Sequence, residues 1–302
     1  MSTLKVLIKR NIKLFFKDKG MFLTSLITPC ILLVLYATFL GDVYKDSFIS
    51  TLPEGLKYPV DLVDGYVGAQ LISSILAVSC VTVAFCSNML MIQDKASSTI
   101  RDFKVSPVKS HVLALGYYLA SLFSTLIICF FATAICLVYC CFVGFYMSLQ
   151  DVLLLIFDIF LLVMFGTALS SVINFFLKSQ GHMSAVGTIV SSGYGFVCGA
   201  YMPISQFSES VQEVIKLLPG TYGTSLVRYH TMRGVIEQME ESGIPKDALS
   251  ALEDAVDCNI YLDGTLVGEG TKYAILITTI VVLITIYVLL NVCKSRNSKK
   301  LK

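Results

Sequence analysis

Apolar residues recur in six long runs, at about 21–41, 66–92, 112–143, 151–176, 183–202 and 273–293. A helix needs ~20 such residues to cross a ~30 Å hydrocarbon core. The third run is long enough to tilt or to project from the membrane. The fifth is glycine-rich, and Pro29 predicts a kink in the first. The pattern predicts an all-α polytopic membrane protein with six transmembrane helices, forming a single transmembrane domain over 1–302.

Between the runs the polar pattern is equally informative. In residues 1–20, Leu4, Leu7, Ile8, Ile12, Phe15 and Phe16 fall at helical spacing with lysines between them. That spacing predicts an amphipathic helix lying in the interface, the alternative being an ordinary basic flank of the first span. Lysines interrupt every apolar stretch and no small-residue cleavage site follows, so this is not a signal peptide. Residues 203–270 are too charged to span. Ile204, Phe207, Val211, Val214, Ile215 and Leu218 form a stripe there, Ser208 or Ser210 (the latter with Glu213) can cap it, and Pro219-Gly220 ends it. The stripe predicts an interfacial or re-entrant external helix marked by Pro203, Phe207, Glu213 and Pro219. Further on, Pro245, Ala248, Leu249, Leu252 and Val256 predict a small helix, part of an external insert that is either a spacer or a partner element.

Composition supports the membrane class. Mean hydropathy is +0.76 and 15% of residues are charged, against ~25% in soluble domains. Of 23 basic residues, 16 fall in the N-terminal segment, the loop after the second span, the site after the fourth span and the tail. The remaining loops hold most of the acids, from Asp42 to Asp64 and from Glu209 to Glu269. Both termini are therefore expected in the cytoplasm, and the plasma (cytoplasmic) membrane is the expected location. There is no tryptophan, so tyrosines such as Tyr117, Tyr118, Tyr146 and Tyr201 supply the interfacial belt. Eight of ten cysteines lie in apolar runs and no CxxC occurs, which argues against a disulfide framework or a zinc site.

The loop after the second span reads QDKASSTIRDFKVSPVKSHVLALG. Ser98 or Thr99 can cap a short helix, Ile100 and Phe103 share one face, and Pro107 stops it. On these residues alone the loop is either a docking knob or a solvated basic loop that sets topology. The VSP at 105–107 followed by LALG resembles the coupling helix of type-2 ABC-transporter permeases. The basic leader, the six spans and the YMPISQFSESVQEVIKLLPGTYGTSLVR segment resemble that family in order and spacing. The resemblance implies a permease paired with a second copy or a different permease, embedded in lipid and docked to a separate ABC ATPase. Arg101, Asp102, Phe103, Lys104, Ser106 and Pro107 would couple the two. ATP and Mg would sit on the partner, since no GxxxxGK[ST] occurs here and no cofactor or nucleic acid is expected of this chain.

The resemblance also implies that the second and fifth spans line the path, giving Ser79, Thr82, Asn88, Ser191, Ser192 and Tyr194 as candidates. A polar residue in a span can equally bond a neighbouring helix. Gly195 and Gly199 form a GxxxG that serves either helix packing or a bend. Asp158 is a lone acid inside a span and is either functional or structural. Drug, antibiotic, peptide or lipid-like cargo is the expected substrate, with a polysaccharide or lipid-linked glycan as the alternative. An intramembrane enzyme is disfavoured: HExxH, GxSG and GxGD are absent, and His111, His182 and His230 read as scattered near loops. A channel is disfavoured for want of a filter or charged ring.

Overall fold

A computed structural model describes residues 3–36, 38, 41–51, 59–97, 99, 103, 106, 108–262 and 264–300. The chain begins with α1 (Thr3–Lys17) and α2 (Lys19–Leu35), bent by 74° at Asp18, whose side chain caps α2 by accepting from Met21 N. Leu7, Asn11 and Phe15 recur every four residues and form the buried face of α1. Next come α3 (Gly41–Thr51), α4 (Val60–Ser87) and α5 (Met89–Ala96), with Asn88 forming the turn between the last two. The long helices α6 (Ser110–Val143) and α7 (Leu149–Phe176) follow. A capping box starts α7: Asp151 N donates to Ser148 Oγ at 3.2 Å, and Ser148 N donates to Asp151 Oδ2 at 2.9 Å. Then come α8 (Gln180–Val197), a 3-10 turn at Ile204–Gln206, α9 (Glu209–Lys216), α10 (Pro219–Glu241) and α11 (Lys246–Ala255). A two-stranded antiparallel hairpin, β1 (Tyr261–Leu262) and β2 (Thr265–Leu266), leads into α12 (Glu269–Lys300).

Four stretches are long and apolar enough to cross a membrane: Val60–Ala96, Ser110–Val143, Leu149–Phe176 and Glu269–Ser295. The bent pair of α1 and α2 passes as a fifth. These contain the second, third, fourth and sixth expected runs. The first corresponds to α2. The fifth falls on α8, which carries Ser184, Thr188, Ser191 and Ser192 and is not among the stretches apolar enough to span.

Packing is arranged around α4. Nearly every residue from Leu62 to Ser87 is buried, enclosed by α2, α6, α7, α8 and α10. Gly166 of α7 makes one of these approaches possible, because a Cβ there would sit 2.9 Å from Val81 Cα. One core joins α1, α4, α6, α7 and α12 through residues such as Phe15, Leu76, Tyr118, Leu162 and Tyr287. A second core joins α3, α4, α10 and α11 through Phe48, Tyr66, Met239 and Leu252.

One expectation is corrected here, and one open alternative is decided. Pro219-Gly220 does not end the stripe at 204–218: α9 stops at Lys216, and Pro219 occupies the first turn of α10. A proline suits that position because its missing N–H has no helical partner there in any case. α9 is short and mostly exposed, whereas α10 is the element driven into the bundle. The Gly195/Gly199 pair forms the end of α8 and does not pack one helix on another. Gly199 takes φ +72°, and Ala200 N and Tyr201 N both donate to Gly195 O, at 2.8 and 2.9 Å.

Candidate functional site

The charge pattern gives the bundle a basic end. Lys95 Nζ donates to the carbonyls of Asn174 and Phe175 at 2.8 and 3.1 Å, filling the C-terminal acceptors of α7. Lys294 Nζ lies 4.9 Å from the Phe175 ring centre. At this end Arg10 of α1 is held by Asp94 of α5 through two bonds, at 2.6 and 3.0 Å. Tyr117 of α6 donates to the same carboxylate at 2.5 Å. The Arg10 guanidinium also lies 5.3 Å from the centre of the Phe103 ring. One arginine thus joins α1, α5 and α6 to the segment between the second and third spans. Of the expected coupling residues, Phe103 and Ser106 are described. Arg101, Asp102, Lys104 and Pro107 lie outside the described residues.

Along one flank, α2 and α8 stand apart over α4 and α5 and leave a groove of about 970 Å³. It runs from Asp18 at the basic end to Tyr36, Phe196 and Tyr201 at the other, with Cys86, Met89 and Gln93 as its floor. This is the full length of α2, about 25 Å at 1.5 Å per residue. Ser191 and Ser192 line it.

The other path candidates do not face this groove. Ser79 and Thr82 are 1% exposed and donate to Ile75 O and Val78 O one turn back in α4. Asn88 is fully buried. Its amide donates to Ser170 Oγ and Ser171 Oγ at 3.0 and 2.7 Å, and Ser121 donates to its carbonyl at 3.3 Å. It ties the α4–α5 turn to α7 and α6. Tyr194 packs against Gly220 at the start of α10. A polar residue in a span carries no label for which side it faces, and here Ser79 and Thr82 bond their own helix while Asn88 and Tyr194 meet neighbouring helices.

Asp158 is 1% exposed and paired. His230 Nδ1 of α10 lies 2.6 Å from its Oδ2, and the Tyr273 hydroxyl of α12 donates to its Oδ1 at 2.6 Å. Glu269 lies 3.6 Å from His230 Nε2. The scattered reading of the histidines is therefore corrected for His230, which lies at the junction of α7, α10 and α12. Arg228, one turn before Thr231 on α10, donates to Val256 O, to Gly199 O at 2.9 Å and to Ser74 Oγ at 3.3 Å, and lies 3.6 Å from Asp257. Burial raises the Asp257 carboxyl to about 6, and the nearby Arg228 charge and the Ile204 N–H hold it back from going higher. Lys272 of α12 donates to Ser225 Oγ and Cys258 O at 2.9 and 2.8 Å. Arg233 reaches Asp151 at 2.5 Å. Sequence reasoning missed these partners, but one signal was present. Thr221, Thr224, Ser225, Arg228 and Thr231 recur at three- and four-residue spacing, a polar stripe that faces inward.

Among the described residues no three His, Cys, Asp or Glu side chains converge to hold a metal. Long apolar helices around a buried central span, with basic groups gathered at one end, define a multi-pass membrane protein. The model of the ABC-2 type transporter family matches residues 2–231, and the chain belongs to that family. It is thus the membrane subunit of an ABC transporter, a transport component of a kind that in general works with an ABC ATPase. Comparison with curated proteins yields no match.

Proposed function

We propose that this chain is the permease subunit of an ATP-driven exporter in the plasma membrane, with six spans and both termini in the cytoplasm. On this reading the chain pairs with a second permease, identical or not, and each docks a separate ATPase that carries ATP and Mg. The segment around Phe103 and Ser106 receives the ATPase movement, and Arg10 passes it to α5 and α6. Arg101, Asp102, Lys104 and Pro107, with Phe103 and Ser106, are the residues that couple to the ATPase on this reading. The α2–α8 groove, with Ser191 and Ser192 on its wall, is the path for a drug, antibiotic or peptide. In this scheme α8 completes the fifth span once a neighbouring copy covers its polar face, and α9–α10 close the external end as the re-entrant element.

The observation that carries the reading is the groove itself, because it extends along the whole of α2 from the basic end to an aromatic cluster at the other. A pore needs such a continuous route, and the α4 core offers none, since nearly all of α4 is buried. Purification of the tagged chain from its native membranes tests the proposal. A P-loop ATPase should co-purify with it and be lost from a Phe103→Ala, Pro107→Gly variant. If no ATPase is recovered while other membrane complexes survive the same detergent, the proposal fails.

A further inference from the structure

The chemistry of the groove wall selects among substrates. Among the described residues that line it there is no Lys, Arg or His, and the only charged side chain is Asp18. Of the eight hydroxyls on its described lining residues, five are committed as donors to backbone carbonyls, the other three being Thr28, Ser184 and Ser191. Thr24 donates to Gly20 O at 2.7 Å, Thr188 to Ser184 O at 2.9 Å and Ser192 to Thr188 O at 2.7 Å. Tyr36 and Tyr201 donate to Ala200 O and Ser191 O at 3.1 and 3.4 Å. A hydroxyl whose hydrogen is committed to a backbone carbonyl offers only lone pairs to a ligand. The wall is therefore rich in acceptors, and among the described residues Gln93 is the one lining side chain with N–H donors.

An anionic head has little to bind in such a wall. A phosphate or carboxylate leaving water needs N–H donors or positive charge. The positive end of the α2 dipole could have served, but Asp18 already occupies it as the cap. Arg10, Lys17 and Lys178 lie in a neighbouring cleft that Asp18 also borders, outside the groove, and Arg10 is engaged by Asp94. A cationic head with N–H donors fits every part of the wall. It meets the Asp18 carboxylate at the basic end, hydroxyl lone pairs along the middle and aromatic faces at the other end. Phe196 and Tyr201 stack there edge to face, with ring centres 5.1 Å apart. Ile27, Ile31 and Leu35 of α2 supply the apolar side for a hydrocarbon body.

Given that the groove is the path proposed above, we infer that its substrates are amphiphiles with an apolar body and a cationic, N–H-bearing head. Lipid-linked and other anionic cargo is excluded from it. The test uses two photoactivatable probes with the same diazirine-bearing alkyl chain, one ending in a primary ammonium and the other in a phosphate. The full chain in lipid nanodiscs is labelled, and the peptides modified are mapped by mass spectrometry. Labelling of α2 and α8 is read relative to the exposed Phe131 face of α6, which reports simple partition into lipid.

The ammonium probe should exceed the phosphate probe in the groove by about tenfold, the ratio of one well-placed charge contact. Asp18→Asn should lower ammonium labelling severalfold while keeping the helix capped, since asparagine caps as well as aspartate. Ser192→Lys, at an exposed position on the wall, should reverse the preference. Equal or stronger phosphate labelling of the groove would overturn the substrate class and leave the path intact. Labelling of the α6 face alone by both probes would overturn the path and this inference with it.

Discussion

The junction at α10 and the groove between α2 and α8 are both polar, yet their polar groups are used in opposite ways. At the junction each charge meets a partner inside the protein: Asp158 with His230 and Tyr273, Arg228 with three acceptors, Lys272 with Ser225 and Cys258 O. In the groove Thr24, Thr188 and Ser192 bond their own helices, Tyr36 and Tyr201 reach the carbonyls of Ala200 and Ser191, and Asp18 caps its own helix. The junction is therefore a clamp, in which polarity fixes three helices together. The groove is a surface whose acceptors are left for something else. Polarity inside a membrane protein does not mark a pathway until its partners are known.

The strongest way to break the comparison is to leave a clamp charge alone. Asp158→Leu strands His230 in the core and should cost about 3–5 kcal/mol, seen as a large fall in the thermal unfolding midpoint in detergent. Asp158→Leu combined with His230→Leu should recover most of that loss, because no orphan remains. An unchanged midpoint for the single variant would mean that the junction is not a clamp.

A smaller effect comes from pH. The Asp257 carboxyl ionises near 3.8 in the unfolded chain and near 6 in the folded one. Between those values the folded state holds the extra proton. Its contribution is thus fully favourable below the lower value and declines as pH rises through the window, by about 3 kcal/mol in total. Asp257→Asn should flatten that slope in unfolding measured from pH 4 to 7, and an unaltered slope would remove Asp257 as its source.

Smaller still, Lys95→Met uncaps the end of α7 and should lower stability by about 1 kcal/mol. At the low end, Ser192→Ala in the groove should change stability by less than about 0.5 kcal/mol yet alter transport rate or selectivity. If it instead destabilised the fold as a clamp residue does, the distinction between the two regions would blur.

How far the sequence could be read follows the same division. The spans on α4, α6, α7 and α12 were legible because lipid and core alike demand apolar runs, and α1 was legible from its leucine and phenylalanine spacing. α10 was not. Its buried stripe is polar, so hydropathy gave no sign that it packs inside the bundle, and His230 finds Asp158 from 72 residues away. Ser191 and Ser192, path candidates by resemblance, line the groove, whereas Ser79 and Thr82 bond their own helix and Asn88 ties the α4–α5 turn to α6 and α7. Arg10 and Asp94 were visible as charges, but their common meeting point with Phe103 and Tyr117 arises only when α1 folds back on the bundle.

The most direct measurement is thiol reactivity at one position from each kind of surface. The exposed Cys30, Cys141 and Cys293 are first replaced by serine. Ser192→Cys and Ser79→Cys are then placed separately in the permease, together with its ATPase, in native membranes and treated with a membrane-impermeant maleimide. A groove that carries substrate predicts modification at 192, at a rate that changes when ATP is added, and none at 79 in either state. Modification at 79 as fast as at 192 would contradict the account, because the path would then run through the α4 core.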